Sequence, residues 1–269
     1  QLGGFKYPPI FYLFNMKKIF ILLLLITPIY LFGWGKVGHR VVGEIAERHL
    51  TEEAKKQIKE LLGGESLAIA STWADEMRSN PKFDKYGSWH YINLPIDKEY
   101  DEITPGANNV ITQINKAVHT LKIPFTRKDV KIFYLKYLVH MVGDIHQPLH
   151  TGREEDWGGN KIKVNFKGRK GSENITNLHD LWDAGIIDDY KMSYTEYADK
   201  LMNVKEIDFP QGDPLLWSKE SHAFVPKIYE TEAGSYLSYD YVYENLPIID
   251  QRLYQAGIRL ATILNELFK

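Results

Sequence analysis

The chain has 269 residues, 33 of them basic and 35 acidic, and no cysteine. A net charge of −2 excludes a protein that coats nucleic acid by bulk positive charge. The absence of cysteine excludes a disulfide scaffold and thiolate zinc sites, which leaves His, Asp, Glu and backbone groups as metal ligands.

Residues 1–15 precede Met16 and read as an over-extended gene start. From Met16 come Lys17 and Lys18, an apolar run over 19–32 and the small residue Gly33, the order of a signal peptide spanning 16–33. The run is short for a membrane span. Cutting after Gly33 exposes Trp34 as a new N-terminus, and its free α-amine is a metal ligand that an uncut chain lacks. The segment 1–33 carries Lys6, Lys17, Lys18 and no acid, so the mature net charge moves from −2 to −5, with 30 basic against 35 acidic residues. Residues 34–269 suit a single domain with a sizeable core. Export without disulfides fits a bacterial periplasmic or secreted protein, monomeric and with no stable membrane association once the signal is removed.

Apolar residues recur at helical spacing over 37–50, 54–62, 69–77, 110–121, 130–145, 194–204 and 246–268, which predicts a mainly α chain. Thr51-Glu52-Glu53 and Thr126-Arg127-Lys128-Asp129 read as N-cap starts, and Gly63-Gly64 and Pro148 as stops. The one strand signal, Lys161 to Phe166 after Gly158-Gly159-Asn160, predicts a short hairpin within the helices.

The chemistry concentrates in His140-Met-Val-Gly-Asp144-Ile-His146-Gln-Pro-Leu-His150. His140 and Asp144, four apart, project from one helix face, and Pro148 turns His150 back toward them. His179 and Asp183 repeat the spacing. A helical i, i+4 pair offers imidazole and carboxylate to one ion, with zinc the leading candidate. The first pair lies among Phe133, Tyr134, Leu138, Val139 and Val142, so both donors need buried partners. Asp75 and His90 are further donors. His49, His119 and His222 read as surface or capping residues, and His146, beside Asp144, as a hydrogen-bonding neighbour of the ligands.

In order and spacing, Trp34-Gly-x-x-Gly-His39, Trp73-Ala-Asp75, His90-Tyr-x-Asn93, the His140 to His150 motif and His179-x-x-x-Asp183 resemble the S-one/P-one family of zinc-dependent single-strand nucleases. The resemblance covers nearly all of residues 34–269. It implies an all-α, single-domain helical bundle of the zinc phospholipase C and single-strand nuclease type, with a short β-hairpin insert. It implies three zinc ions: one on Asp75, His90, His140 and Asp144, one on His150, His179 and Asp183, and one on the amine and carbonyl of Trp34 with His39 and a bridging Asp144. The implied activity is a hydrolase for phosphodiester bonds of single-stranded DNA and RNA and for 3′-nucleotides, leaving 5′-phosphates through a metal-bridging hydroxide. Asp75 then orients the nucleophile, Arg78 contacts the phosphate, and Tyr91 and Asn93 stack on and hydrogen-bond a base, where fungal members carry Phe and Asp.

The alternative enzyme is a zinc-dependent phospholipase C, whose final ligand is a glutamate and whose last histidine follows the His150 equivalent at a much shorter interval than the gap to His179 here. A third reading is a zinc-binding or storage protein, whose ions have no open coordination position.

Overall fold

The computed structural model describes residues 34–96, 108–168, 174–203 and 209–269. The expected leader, residues 1–33, lies outside the described residues. Helices dominate, as the periodicity predicts. Helix α1 (Lys36–Arg48) buries His39, Val41, Val42, Ile45 and Ala46 along one stripe. Helix α2 (Glu52–Leu61) begins at the expected cap: the Thr51 hydroxyl accepts from the Ala54 amide at 3.2 Å, and Glu52 and Glu53 sit in the electropositive first turn.

The helix expected over 69–77 is two short ones, α3 (Leu67–Ala70) and α4 (Trp73–Met77). Between them the Ser71 and Thr72 hydroxyls donate to the carbonyls of Ala68 and Ile69, competing with the helical ladder. A 3₁₀ helix over Pro81–His90, which has no counterpart in the apolar periodicity, then delivers His90. Helix α5 (Val110–Lys122) opens on a reciprocal capping box between Asn109 and Thr112.

Helix α6 (Lys128–Asp144) carries the first ligand pair. Arg127 rather than Thr126 occupies its cap, because the Thr126 hydroxyl donates back to the Thr120 carbonyl at 3.0 Å. From Tyr137 onward every residue of α6 is buried, so the helix end that bears His140 and Asp144 runs through the core. A 3₁₀ turn, Pro148–Thr151, follows.

Strands β1 (Lys163–Phe166) and β2 (Ile175–Asn177) form the expected hairpin, with Val164 opposite Thr176. A two-residue β3 (Tyr236–Leu237) adds parallel to the other side of β1, Phe166 opposite Leu237. It is too short to show an alternating pattern.

The segment expected to carry His179 and Asp183 on a helix is α7 (Leu178–Asp180), a π-helical turn over Leu181–Gly185, and α8 (Ile186–Asp189). Helix α9 (Tyr194–Met202) starts from a Ser193–Glu196 capping box. Helices α10 (Pro214–His222) and α11 (Val225–Ile228) went unforeseen; α10 buries Ser218 and Ser221 beside Pro214 and Trp217, which blurs its apolar spacing. The closing helix α12 (Tyr239–Leu267) begins seven residues before the expected Leu246 and carries Pro247 within it.

Helix α1 packs on α3, α6, α9 and α12. At the crossing with α3 a Cβ on Gly43 would lie 2.6 Å from the Leu67 carbonyl oxygen and 2.8 Å from the Ala68 nitrogen. Backbone cannot yield as a flexible side chain can. Gly43→Ala is therefore expected to destabilise the protein by about 1–3 kcal/mol, as overpacking does; an unchanged thermal midpoint would contradict so close a crossing.

Candidate metal centre

Side chains from five parts of the chain meet at the end of α6. Asp144 is fully buried and faces two directions. Its Oδ2 lies 3.0 Å from His90 Nδ1 and 3.1 Å from His140 Nε2. Its Oδ1 lies 3.3 Å from His39 Nε2 and 3.8 Å from His150 Nδ1. Asp75 Oδ1 completes the first group, 3.6 Å from His140 Nε2 and 3.9 Å from His90 Nδ1. In the second group Asp183 Oδ2 is 3.2 Å from His179 Nε2, and Asp183 Oδ1 is 3.9 Å from His150 Nε2. Three clusters with metal-ligand composition result: Asp75, His90, His140; His39, His140, Asp144; and His150, His179, Asp183.

The residues fit divalent ions. A tetrahedral ion with bonds of about 2.0–2.1 Å holds its ligand atoms about 3.3 Å apart, close to the spacings here. Several of these atoms are also buried without a hydrogen-bond partner: Asp75 Oδ1, Asp144 Oδ1, Asp183 Oδ2 and both ring nitrogens of His39. Buried polar atoms are otherwise satisfied almost without exception, so a cation in their midst supplies what they lack.

Three imidazoles are aimed by backbone carbonyls. Nδ1 of His140 donates to Ser71 at 2.7 Å, that of His150 to His90 at 2.6 Å, and that of His179 to Gly158 at 2.7 Å. Each bond fixes the tautomer with its lone pair on Nε2, the form that binds an ion. Gln147, which the sequence reading missed although it lies inside the motif, donates to Asp183 Oδ1 and accepts from the Leu149 amide at 2.5 Å.

Burial sets the protonation of the metal-free cluster and the neighbours modify it. Burial raises Asp183 well above the usual carboxylate range, against the hydrogen bond from Gln147. For Asp144 the same burial is overridden by the charge of His140 and by the imidazoles of His140, His39 and His90 gathered around it, which hold it well below that range. Burial pulls His140 down, but Asp144, Asp75 and the Ser71 carbonyl bring it up to about 9. His39 is lowered by burial and by His140, whose ring stacks on it at 3.9 Å. Protons thus occupy places that metal binding would empty.

Trp34 closes the arrangement from the N-terminal side. Its side chain is wholly buried, and the next amide, Gly35 N, donates to the Asp183 carbonyl at 2.7 Å. Gly143 lets the His39 ring approach α6 closely, since a Cβ there would meet His39 Nδ1 at 2.8 Å.

Arg78 sits at the rim, its Nη1 3.6 Å from Asp75 Oδ1. Tyr91 and Asn93 are half-buried on an extended segment and alternate with buried Ile92 and Leu94. The amides of Ile92 and Leu94 donate to the carbonyls of His150 and Gly152, which moors this segment beside the second cluster. Burial raises the Tyr91 phenol, with Arg78 opposing and Glu154 adding to the shift, so all three share one neighbourhood.

One histidine outside the clusters departs from expectation and one fits it. His146 makes no bond to a ligand: Nδ1 donates to the Val142 carbonyl and Nε2 accepts from Arg259 at 2.9 Å. His222 keeps to the capping reading: partly exposed, its ring nitrogens lie 2.8 and 3.1 Å from the carbonyl oxygens of Thr151 and Pro95, tying together two segments beside the centre.

The chain is 30% identical to Endonuclease 2 of Arabidopsis thaliana, over 94% of this chain and 99% of that one. It is 32% identical to Endonuclease 3 of the same plant, over 87% and 89%. Against Nuclease S1 of Aspergillus oryzae the identity is 27%, over 87% and 91%. The S1/P1 Nuclease family model matches residues 34–269, which contain every residue of the three clusters. With a match of that extent around this centre, the chain belongs to the S1/P1 nuclease family.

Proposed function

We propose that this protein is a zinc-dependent endonuclease and 3′-nucleotidase that hydrolyses phosphodiester bonds of single-stranded DNA and RNA to 5′-phosphorylated products. The observation that carries the reading is the bridging position of Asp144, whose two oxygens face different clusters inside a nuclease-family chain. Asp75, His90, His140 and Asp144 would hold one ion; His150, His179 and Asp183 a second; and His39, Asp144 and the freed amine and carbonyl of Trp34 a third. Zinc suits a donor set of imidazole and carboxylate without thiolate. When bound, such ions acidify water and neutralise charge that develops on a phosphate.

The chain's own groups do the rest. Asp75, at the open edge of its cluster, orients the attacking water and takes its proton. Arg78 beside it binds the non-bridging oxygens of the phosphate, and Tyr91 stacks on an adjacent base while Asn93 hydrogen-bonds its edge. Stacking requires an unstacked base, which selects single strands. The polypeptide is exported, to a bacterial periplasm or medium, and signal removal before Trp34 completes the third ion's ligand set; the start of the family match at Trp34 supports this. It then works as a monomer without a membrane anchor; among the described residues no helix is long and apolar enough to cross a membrane.

The test is cleavage of single-stranded DNA, RNA, duplex DNA and phosphatidylcholine by protein whose N-terminus is verified as Trp34, before and after chelation. Zinc-dependent release of 5′-nucleotides, faster from single strands, is expected. Lipid hydrolysis alone would make it a phospholipase, a reading the nuclease relatives do not favour. Bound zinc with no activity would make it a binding protein. In the same assay Asp75→Asn should lower kcat about a thousandfold, as loss of a general base does, with zinc content kept by the three remaining ligands.

A further inference from the structure

Trp157 is a residue for which neither packing nor backbone preference accounts. Its side chain is 39% exposed. Its φ is +56°, and Gly158 and Gly159 follow at +62° and +88°, so a bulky ring occupies the left-handed region that Gly, Asn and Asp normally take. Such strain persists only where the surroundings enforce it, and it gathers at ligand-binding sites.

The surroundings are explicit. The Asp156 carboxylate, itself buried, accepts from the Gly159 amide at 2.7 Å, from the Tyr229 hydroxyl at 2.7 Å and from Arg153 Nε at 2.9 Å. The Asn160 side chain donates to the Trp157 carbonyl at 2.7 Å. The next carbonyl, that of Gly158, is the one that aims His179. Lys161 Nζ stands 4.1 Å from the ring centroid over one face of the indole and is itself held by the Glu155 carbonyl at 2.8 Å. A Cβ on Gly152 would meet Gly158 Cα at 2.9 Å, and the Gly152 carbonyl receives the Leu94 amide at 3.0 Å. The Tyr91–Leu94 segment, Gly152 and the Trp157 loop therefore lie side by side along one rim of the centre.

We propose that Trp157 is a second stacking residue for substrate, taking the nucleobase next along a single strand from the one at Tyr91, with the Lys161 ammonium beside the strand's phosphates. This rests on the single-strand nuclease reading above. An indole accepts any base through its π-face, so the contact lengthens the grip on the strand without adding sequence preference. A ring with two side-chain torsions, carried on loop backbone that Asp156 and Asn160 hold in place, loses little freedom on binding. The expected signature is a preference for oligonucleotides over 3′-mononucleotides that depends on residue 157.

The experiment compares wild type, Trp157→Ala, Trp157→Phe and Trp157→Asn as zinc-loaded, signal-cleaved proteins. Two readouts are used: steady-state cleavage of short single-stranded DNA and of a 3′-mononucleotide, and fluorescence anisotropy with a labelled phosphorothioate oligothymidylate. Trp157→Ala should raise the oligonucleotide KM and weaken oligothymidylate binding about tenfold, more than it changes the mononucleotide KM, with kcat and zinc content kept. Trp157→Phe should recover most of the binding. Trp157→Asn should bind as poorly as the alanine variant yet keep or raise the thermal midpoint, because asparagine suits the left-handed backbone. Equal binding and equal KM in wild type and Trp157→Ala would overturn the proposal, as would a fall in thermal midpoint that tracks the fall in binding. Failure of the wild type to cleave single strands would instead overturn the nuclease reading, and the anisotropy arm decides the role of Trp157 independently of cleavage.

Discussion

Asp144→Asn is expected to empty two of the three clusters at once, lowering kcat on single-stranded DNA by at least about a thousandfold. No other side chain here places one oxygen 3.0 Å from His90 and the other 3.3 Å from His39. An amide can turn only one oxygen to one cluster and must aim its NH₂ at the other, where it would face the proposed cation. The lost negative charge matters equally, since among the described residues His39, His90 and His140 have only Asp144 and Asp75 as anionic partners. Elemental analysis should show zinc per chain falling by more than one, whereas His179→Ala, confined to one cluster, should lose about one. Changing groups that merely orient ligands already costs about 10–100-fold in metal affinity, so a ligand shared between ions should exceed that. Full zinc content in Asp144→Asn would refute the bridging role.

Glu220→Gln should cost about 3 kcal/mol of stability with no ligand of the centre altered. Glu220 accepts from Arg252 Nη1 at 2.8 Å and from Arg259 at 2.6 and 2.8 Å. Both arginines are 1% exposed. Arg252 also donates to the His146 carbonyl and Arg259 to the His146 ring, so this network braces the turn that follows Asp144. Removing the one carboxylate leaves two buried guanidiniums without a counter-charge. Burial raises the Glu220 carboxyl, but hydrogen bonds from Arg259 and Arg252 outweigh it and hold the group below its usual range. A depressed carboxylate contributes stability that is complete above its unfolded-state value, about 4.3, and lost as pH falls through the folded one. The stability difference between wild type and Glu220→Gln, measured by urea unfolding, should therefore be constant near neutrality and shrink in acid. A difference that grows in acid would refute the pairing.

Local chemistry explains which elements the sequence predicts well. Thr51 before Glu52, the apolar stripe of α1 and the run from Tyr137 through α6 each specify structure within a few residues. The failures share a cause. Helices α3 and α4 separate because two hydroxyls bond backward, and α10 escapes notice because its buried face holds two serines, Ser218 donating back to the Leu215 carbonyl and Ser221 to the distant Ile145 carbonyl at 2.6 Å. Strand β3 exists only because β1 is there to pair with it.

The same division runs through the metal centre. Residue type and spacing alone single out His140, Asp144, His150, His179 and Asp183, since a helical i, i+4 pair is a local object; the cleavage site offered the Trp34 amine, Asp75 and His90 stood as further donors, and family resemblance added His39 and sorted them all into sets. Tertiary structure decided which oxygen of Asp144 faces which histidine, that Gln147 holds Asp183, that the carbonyls of Ser71, His90 and Gly158 set the imidazole tautomers, and that His146 turns to Arg259. Backbone carbonyls carry no residue identity, and a bond spanning 69 or 113 positions leaves no trace in local spacing. The sequence by itself therefore determined the donor atoms, and only folding decided how they are aimed, because aim depends on partners that become neighbours only when α6 is buried.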